Sequence, residues 1–256
     1  MTTIALTRQI SPSMERCELT YQSRVSIDIA LARAQHHAYQ QALAELGCQV
    51  IILPAEPDLP DSVFVEDPAI VVDEIAVITR PGAESRRPET ASIARALQPY
   101  RKLAYIQAPG TIDGGDVMRV GKTLYVGVSR RSSQTGIAQL AAALAPFGYR
   151  VQAVPLTGCL HLKSAVTPVG ADVLLINRQW VDAGHFAGMR FIEVHPSEPH
   201  GANALLLGQV VIYPDSFVYT RQRLEEAGIA VKTVPASEVQ KAEGAVTCCS
   251  LIFESF

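Results

Sequence analysis

The chain has 256 residues, 48% of them hydrophobic and 18% charged, with a formal net charge of −3. That is ordinary globular composition, and enough chain for one large core. Nothing in this slightly acidic balance asks for nucleic acid or an anionic membrane surface, both of which want basic patches. No apolar run reaches the roughly 18 residues of a membrane-spanning helix. The start, MTTIALTRQI, lacks the basic opening and long apolar stretch of a signal peptide. Five cysteines, an odd number without a CxxC pair, suit reduced thiols in the cytoplasm.

In chain order, residues 3–7 read as a strand, 25–46 as the strongest helix and 49–53 as the strand that follows it. Apolar runs at 68–72 and 75–79 flank the turn Asp73-Glu74 and read as a hairpin. A helix at 88–97 and a strand at 102–106 come next. The order then recurs. Strands 117–120 and 123–128 flank Gly121-Lys122, with a helix at 134–147 carrying Ile137, Leu140, Ala141 and Leu144 on one stripe, and a strand at 149–154. A third hairpin, 160–168 and 172–176, precedes a weak helix at 181–188 and a strand at 191–194. A fourth, 204–207 and 210–213, precedes a helix at 219–227, closed by Gly228 as C-cap, and a strand at 229–234. Residues 246–253 form a last strand.

The unit is thus strand–strand–helix–strand. Four copies are whole, and a fifth is split between the two ends of the chain. Pairing the first strand with the last closes a ring and removes the open edges. The expected fold is α/β: a five-bladed propeller of ββαβ units with pseudo-fivefold symmetry, one domain over residues 1–256. An open doubly wound sheet fits less well, because hairpins alternate with the helices.

Polar residues near the hairpin starts fall at 67, 116, 161, 203 and 248, spacings of 42 to 49 residues. They are Asp67, Asp116 (with Asp113 beside it), His161, Asn203 and Cys248. Each has a bland reading: a small buried thiol, a satisfied core histidine, aspartates in turns. Their recurrence at one place in successive units argues for a shared pocket in which acid, imidazole and thiol meet, the composition of a Cys/His nucleophilic site. Cys248 and Cys249 lie in an expected strand, where neighbours point to opposite faces, so only one of them faces that pocket. Zinc on Cys248, His161 and the acids is a rival reading. Arg86-Arg87 and Arg130-Arg131 follow the second strands of consecutive hairpins. A guanidinium fork binds carboxylates, so acids at the axis and arginines at the rim suit a substrate with a cationic end and a carboxylate end.

FVEDPA, ITRPGAESRR, IDGGDV, GVSRRSSQTG, LHLKSA, GANALL and TCCSL occur in that order over most of the chain. Together they resemble the dimethylarginine dimethylaminohydrolase family, within the guanidino-group modifying superfamily that includes arginine deiminase. The resemblance implies the five-bladed propeller and hydrolysis of methylated arginine to citrulline. It implies Cys248 as nucleophile, His161 as general acid/base and Asp113 as the acid that orients the histidine and grips the guanidinium. For substrate binding it implies Asp67 as second guanidinium carboxylate, Arg86 and Arg131 on the substrate carboxylate, Asp61 near the α-amino end and Leu19 in a lid loop. Asn203 and Asp116 are expected as pocket wall. No metal or other cofactor is expected, and a homodimer is. An arginine deiminase-like hydrolase of an unmethylated guanidine is the nearest alternative, and a non-catalytic guanidine binder or thiol sensor is one of a different class.

Overall fold

The computed structural model describes residues 1–255. Strand β1 (Thr2–Arg8) is followed by helix α1 (Ile29–Glu45) and β2 (Gln49–Leu53). The next unit is β3 (Ala69–Val71), β4 (Ile75–Ile78), α2 (Thr90–Leu97) and β5 (Lys102–Tyr105). Then come β6 (Val117–Val120), β7 (Thr123–Val128), α3 (Gln134–Leu144) and β8 (Arg150–Pro155). Helix α4 (Leu162–Ala165) leads into β9 (Val166–Pro168), β10 (Val173–Ile176) and β11 (Arg190–Glu193). The chain finishes with β12 (Leu205–Leu207), β13 (Val210–Pro214), α5 (Val218–Glu226), β14 (Ala230–Val234), α6 (Ser237–Gln240) and β15 (Leu251–Ser255).

These strands form five three-stranded mixed sheets, each an antiparallel hairpin followed by a parallel outer strand. The fifth sheet is built from both ends of the chain: β15 pairs antiparallel with β1 from Thr2↔Ser255 to Leu6↔Leu251, and β1 pairs parallel with β2. The expected split repeat and ring closure are therefore present, and the fold is the α/β propeller. The middle strands are the most apolar, β10 being buried along its whole length as Val-Leu-Leu-Ile. A strand covered on both faces reads as a continuous apolar run. The five inner strands β3, β6, β9, β12 and β15 line one central cavity of about 290 Å³.

Several element boundaries differ from expectation. Helix α1 begins at Ile29, because the Asp28 side chain accepts the Leu31 N–H at 3.0 Å and sets an N-cap; residues 25–28 belong to a loop. Pro88 lies in a 3₁₀ turn, Glu84–Glu89, ahead of α2. The weak helix expected at 181–188 is one 3₁₀ turn, Ala183–His185. Two differences bear on function. His161 does not sit in a strand; it caps the one-turn helix α4. Thr247–Cys249 is a 3₁₀ turn and the strand starts only at Leu251, so strand alternation is the wrong rule for the cysteine pair. The inner strands are shorter than their apolar runs, because short turns at their N-terminal ends carry the polar residues.

Candidate active site

Those turns converge at one end of the ring axis. Asp67, His161 and Cys248 line one pocket together with Asp61, Arg86, Arg131, Phe64, Glu18 and Glu243. The pocket is narrow, with about 20 Å³ open to the centre of a water molecule. A larger cavity, about 1110 Å³, is an open groove along α2 and β5, and none of these residues lines it.

Asp113 is fully buried. Its Oδ2 lies 3.1 Å from His161 Nε2, and its Oδ1 accepts the Gly82 N–H at 2.8 Å. Asp67 Oδ1 accepts the Gly115 N–H at 2.9 Å and stands 4.0 Å from His161 Nδ1. The imidazole thus has a carboxylate on each side. Gly115 makes this approach possible, since a Cβ there would lie 2.6 Å from His161 Nδ1 and 2.8 Å from Asp67 Oδ1. Burial by itself lowers the histidine's pKa, but Asp67, the Asp113 bond and Asp116 outweigh it and raise it to about 9. Burial raises Asp67, yet His161 and Arg86 hold it well below the usual carboxylate range. At neutral pH the imidazole is a cation between two carboxylates.

Cys248 lies on the pocket wall at the 3₁₀ turn. Burial, reinforced by Glu66 and Asp67, pushes its thiol well above the ordinary value. The turn is tied by Asn203, whose Oδ1 accepts the Thr247 N–H at 3.1 Å and whose Nδ2 donates to Thr247 Oγ1 at 2.9 Å. Asn203 also donates to the Lys163 carbonyl at 3.0 Å, so it joins the cysteine turn to the histidine helix. Asp116 is a similar tie: it accepts Ser129 Oγ and Ser132 Oγ, each at 2.6 Å, and the Leu162 N–H at 2.9 Å. Cys249 is buried on the other side of the turn, against Tyr39, Val234, Val239 and Val246. The pair does divide between pocket and core, but through a turn.

Arg86 is buried and heavily engaged. Nη1 donates to Asp67 at 2.5 Å, Nε and Nη2 donate to Glu89 at 3.1 and 2.8 Å, and Nη2 also reaches the carbonyls of Asp61 and Phe64. A guanidinium has five N–H donors, so about one Nη1 hydrogen is left for a ligand. Arg131 is less committed: Nη2 donates to Thr20 Oγ1 at 3.3 Å, and Nη1 stands 3.8 Å from Asp113. Asp61 accepts the Glu18 N–H, and burial raises its pKa despite Arg86. Leu19 is not part of the pocket wall; it packs half-buried against the apolar cluster around Cys17 and Met14. Its neighbours Glu18 and Thr20 make the polar contacts. Glu89 and Glu243 were not foreseen. The i,i+3 spacing of Arg86 and Glu89 was a usable signal, whereas Glu243 carried none.

Asp67, Asp113 and His161 bring ligand atoms within 4.8 Å of one another, and Cys248 is not in that group. A cation there would have to displace the Arg86 contact from Asp67 and a proton from an imidazole whose pKa is about 9. The donor set therefore fits a metal poorly and suits a planar organic cation.

The family model for N,N dimethylarginine dimethylhydrolase, eukaryotic, matches residues 9–183. The N(G),N(G)-dimethylarginine dimethylaminohydrolase of Pseudomonas aeruginosa is 38% identical, over 88% of this chain and 90% of its own. That of Streptomyces coelicolor is 39% identical, over 96% of this chain and 95% of its own. A solved structure of a cysteine-to-serine variant of the Pseudomonas aeruginosa protein, complexed with citrulline, superposes with a TM-score of 0.94 at 36% identity, covering 99% of this chain and all of that one.

Proposed function

The chain belongs to the dimethylarginine dimethylaminohydrolase family, and we propose from that premise that it hydrolyses Nω-methylated L-arginine through a covalent adduct on Cys248. The products are L-citrulline and dimethylamine or methylamine. The observation that carries this reading is the convergence of Cys248 and His161 with the buried carboxylates of Asp67 and Asp113 at one end of the ring axis.

A guanidinium is stabilised by resonance and is a poor electrophile. Asp67 and Asp113 hold it in place, so that its central carbon meets sulfur without a bimolecular entropy cost. Burial, reinforced by Glu66 and Asp67, opposes ionisation of the empty site's thiol. A bound guanidinium offsets that negative charge and favours the thiolate. Thiolate attack on the carbon gives a tetrahedral adduct. The C–N bond then breaks as the His161 imidazolium gives its proton to the leaving amine. A thiouronium remains on Cys248. Neutral His161 next takes a proton from water, the hydroxide attacks the same carbon, and C–S cleavage releases the thiolate and citrulline, the adduct's hydroxyl proton passing to the solvent or the released amine. Splitting one difficult substitution into two steps is what the covalent route achieves.

At the far end of the substrate, Arg131 has donors left for the α-carboxylate, while Asp61 and Glu18 face the α-ammonium. Arg86 contributes chiefly by holding Asp67 in its ionised form. The chain acts as one domain over residues 1–256, in a reducing compartment such as the cytoplasm that keeps its five free cysteines as thiols. No helix among the described residues is long and apolar enough to cross a membrane.

The test is product detection from asymmetric dimethylarginine, monomethylarginine and arginine in parallel. Citrulline from the methylated substrates, with little from arginine, is the expected result. Ammonia and citrulline from arginine alone would assign a deiminase instead. No turnover of any of the three would leave a guanidine binder.

A further inference from the structure

Glu243 lies five positions before Cys248 and shares the pocket wall with Glu18, Asp61 and Arg131. Its carboxylate gathers three successive backbone amides of the loop beside the pocket. Oε2 accepts the Thr20 N–H at 2.9 Å, and Oε1 accepts those of Tyr21 at 2.5 Å and Gln22 at 2.6 Å. Successive amides aimed at one anion form a nest, and bonds to a charged acceptor are the strong ones. Glu243 also has φ +56°, a backbone conformation held by no other non-glycine residue among those described. Tyr21 and Gln22 are exposed, so the packing of this segment rests on Leu19, and the carboxylate holds its exposed end.

The loop's other ties end on groups assigned above to the substrate or next to them. The Glu18 N–H donates to Asp61 Oδ2 at 3.1 Å, Arg131 Nη2 donates to Thr20 Oγ1 at 3.3 Å, and Ser85 beside Arg86 donates to Glu18 at 2.5 Å. An amino-acid ligand on Asp61 and Arg131 would compete for those contacts. Glu243 can hold the loop without using either group. Behind it lies a cleft of about 530 Å³ that Glu243 and Gly244 share with Gln22, Ser23 and Lys241, which gives the carboxylate somewhere to go. The pocket itself is narrow, and Glu18 of the loop forms part of its wall.

We infer that Glu243 is a positioning residue that latches residues 18–22 over the bound amino acid and frees them by swinging its carboxylate into the adjoining cleft. Its kinetic consequence rests on the hydrolase reading; its structural consequence does not. Hydrogen exchange read at single amides, in the full chain without substrate, tests the latter. In Glu243→Ala the amides of residues 20–22 should exchange at least about tenfold faster than in the unaltered protein, with α1 amides unchanged. In Glu243→Gln, which keeps an acceptor but loses the charge, the effect should be smaller. KM for dimethylarginine should rise by about tenfold in Glu243→Ala, with kcat within about threefold, because the lid acts on binding more than on chemistry. Unchanged protection of the three amides in both variants overturns the latch, as does a collapse of kcat at unchanged KM. If Glu243→Ala does not fold, Glu243→Gln alone decides, through faster or unchanged exchange. Absence of turnover in the unaltered protein would sink the hydrolase reading and leave the exchange result standing.

Discussion

The protonation state of the Cys248/His161 pair sets a pH dependence that Asp113→Asn should move. With His161 raised to about 9 and the Cys248 thiol higher still, the empty site at pH 7 holds two protons, one on each group. The attacking state, thiolate with imidazolium, holds one. One proton must leave, so kcat/KM should climb with pH and level off near pH 9. At pH 7, two units below that value, about 1% of the free enzyme has the one-proton form, and kcat/KM should lie about a hundredfold under its plateau. Asparagine at 113 is nearly isosteric: Oδ1 can keep the Gly82 bond, and Nδ2 can face a neutral His161 Nε2. A hydrogen bond to a charged group contributes roughly 1.5–3 kcal/mol, equivalent to about one to two pH units of histidine titration. The rise in kcat/KM should therefore occur about one to two units lower in Asp113→Asn, on a plateau reduced by the loss of one guanidinium carboxylate. The assay is citrulline formation at low substrate from pH 6 to 10, for both proteins. A flat or falling profile in the unaltered enzyme would refute the proton count, and an unmoved rise in Asp113→Asn would refute the role given to that carboxylate.

Other substitutions separate the roles of the surrounding groups. Arg131→Ala removes a guanidinium with donors to spare and should raise KM by roughly 10- to 100-fold with a smaller effect on kcat, following the loss of a charge-assisted contact. An unchanged KM with collapsed turnover would argue against carboxylate binding there. Gly115→Ala places a methyl 2.6 Å from His161 Nδ1 and should cost about 1–3 kcal/mol of stability and about 100-fold or more in kcat, both measurable by melting and steady-state kinetics. Full activity after overnight dialysis against excess chelator is expected, since Arg86 and a protonated His161 oppose a cation at the acid pair; activity restored only by added zinc would support a metal site.

The ring was legible because each hairpin combines two apolar runs with a short polar turn, and because the unit missing from the middle of the chain could be assembled from residues 3–7 and 246–253. The polar positions before the inner strands were legible for the same reason: a repeat makes five ordinary residues comparable. What could not be read is the conformation of those positions. Turns of three or four residues, such as Thr247–Cys249 and Leu162–Ala165, are too short to show a period. Cys248 and Cys249 point apart in the structure for a reason other than the strand rule, although the expected division of the pair holds. The engagement of Arg86 by Asp67 and Glu89 was hidden because a side chain's partners depend on how tightly the blades pack. Glu243 was invisible because the amides it holds are about 220 positions away along the chain and carry no side-chain signature. Leu19, a position carried over from a resemblance, lies on the loop beside the pocket, where its neighbours Glu18 and Thr20 make the polar contacts.

The central claim is a covalent step on one sulfur. It is tested most directly by acid-quenching the enzyme during turnover of dimethylarginine and mapping the added mass by peptide fragmentation, alongside Cys248→Ser and Cys249→Ser. A substrate-derived adduct on Cys248, absent from Cys248→Ser together with citrulline formation and retained with most activity in Cys249→Ser, is the predicted result. An adduct on another residue, or citrulline formed at an undiminished rate by Cys248→Ser, would contradict it.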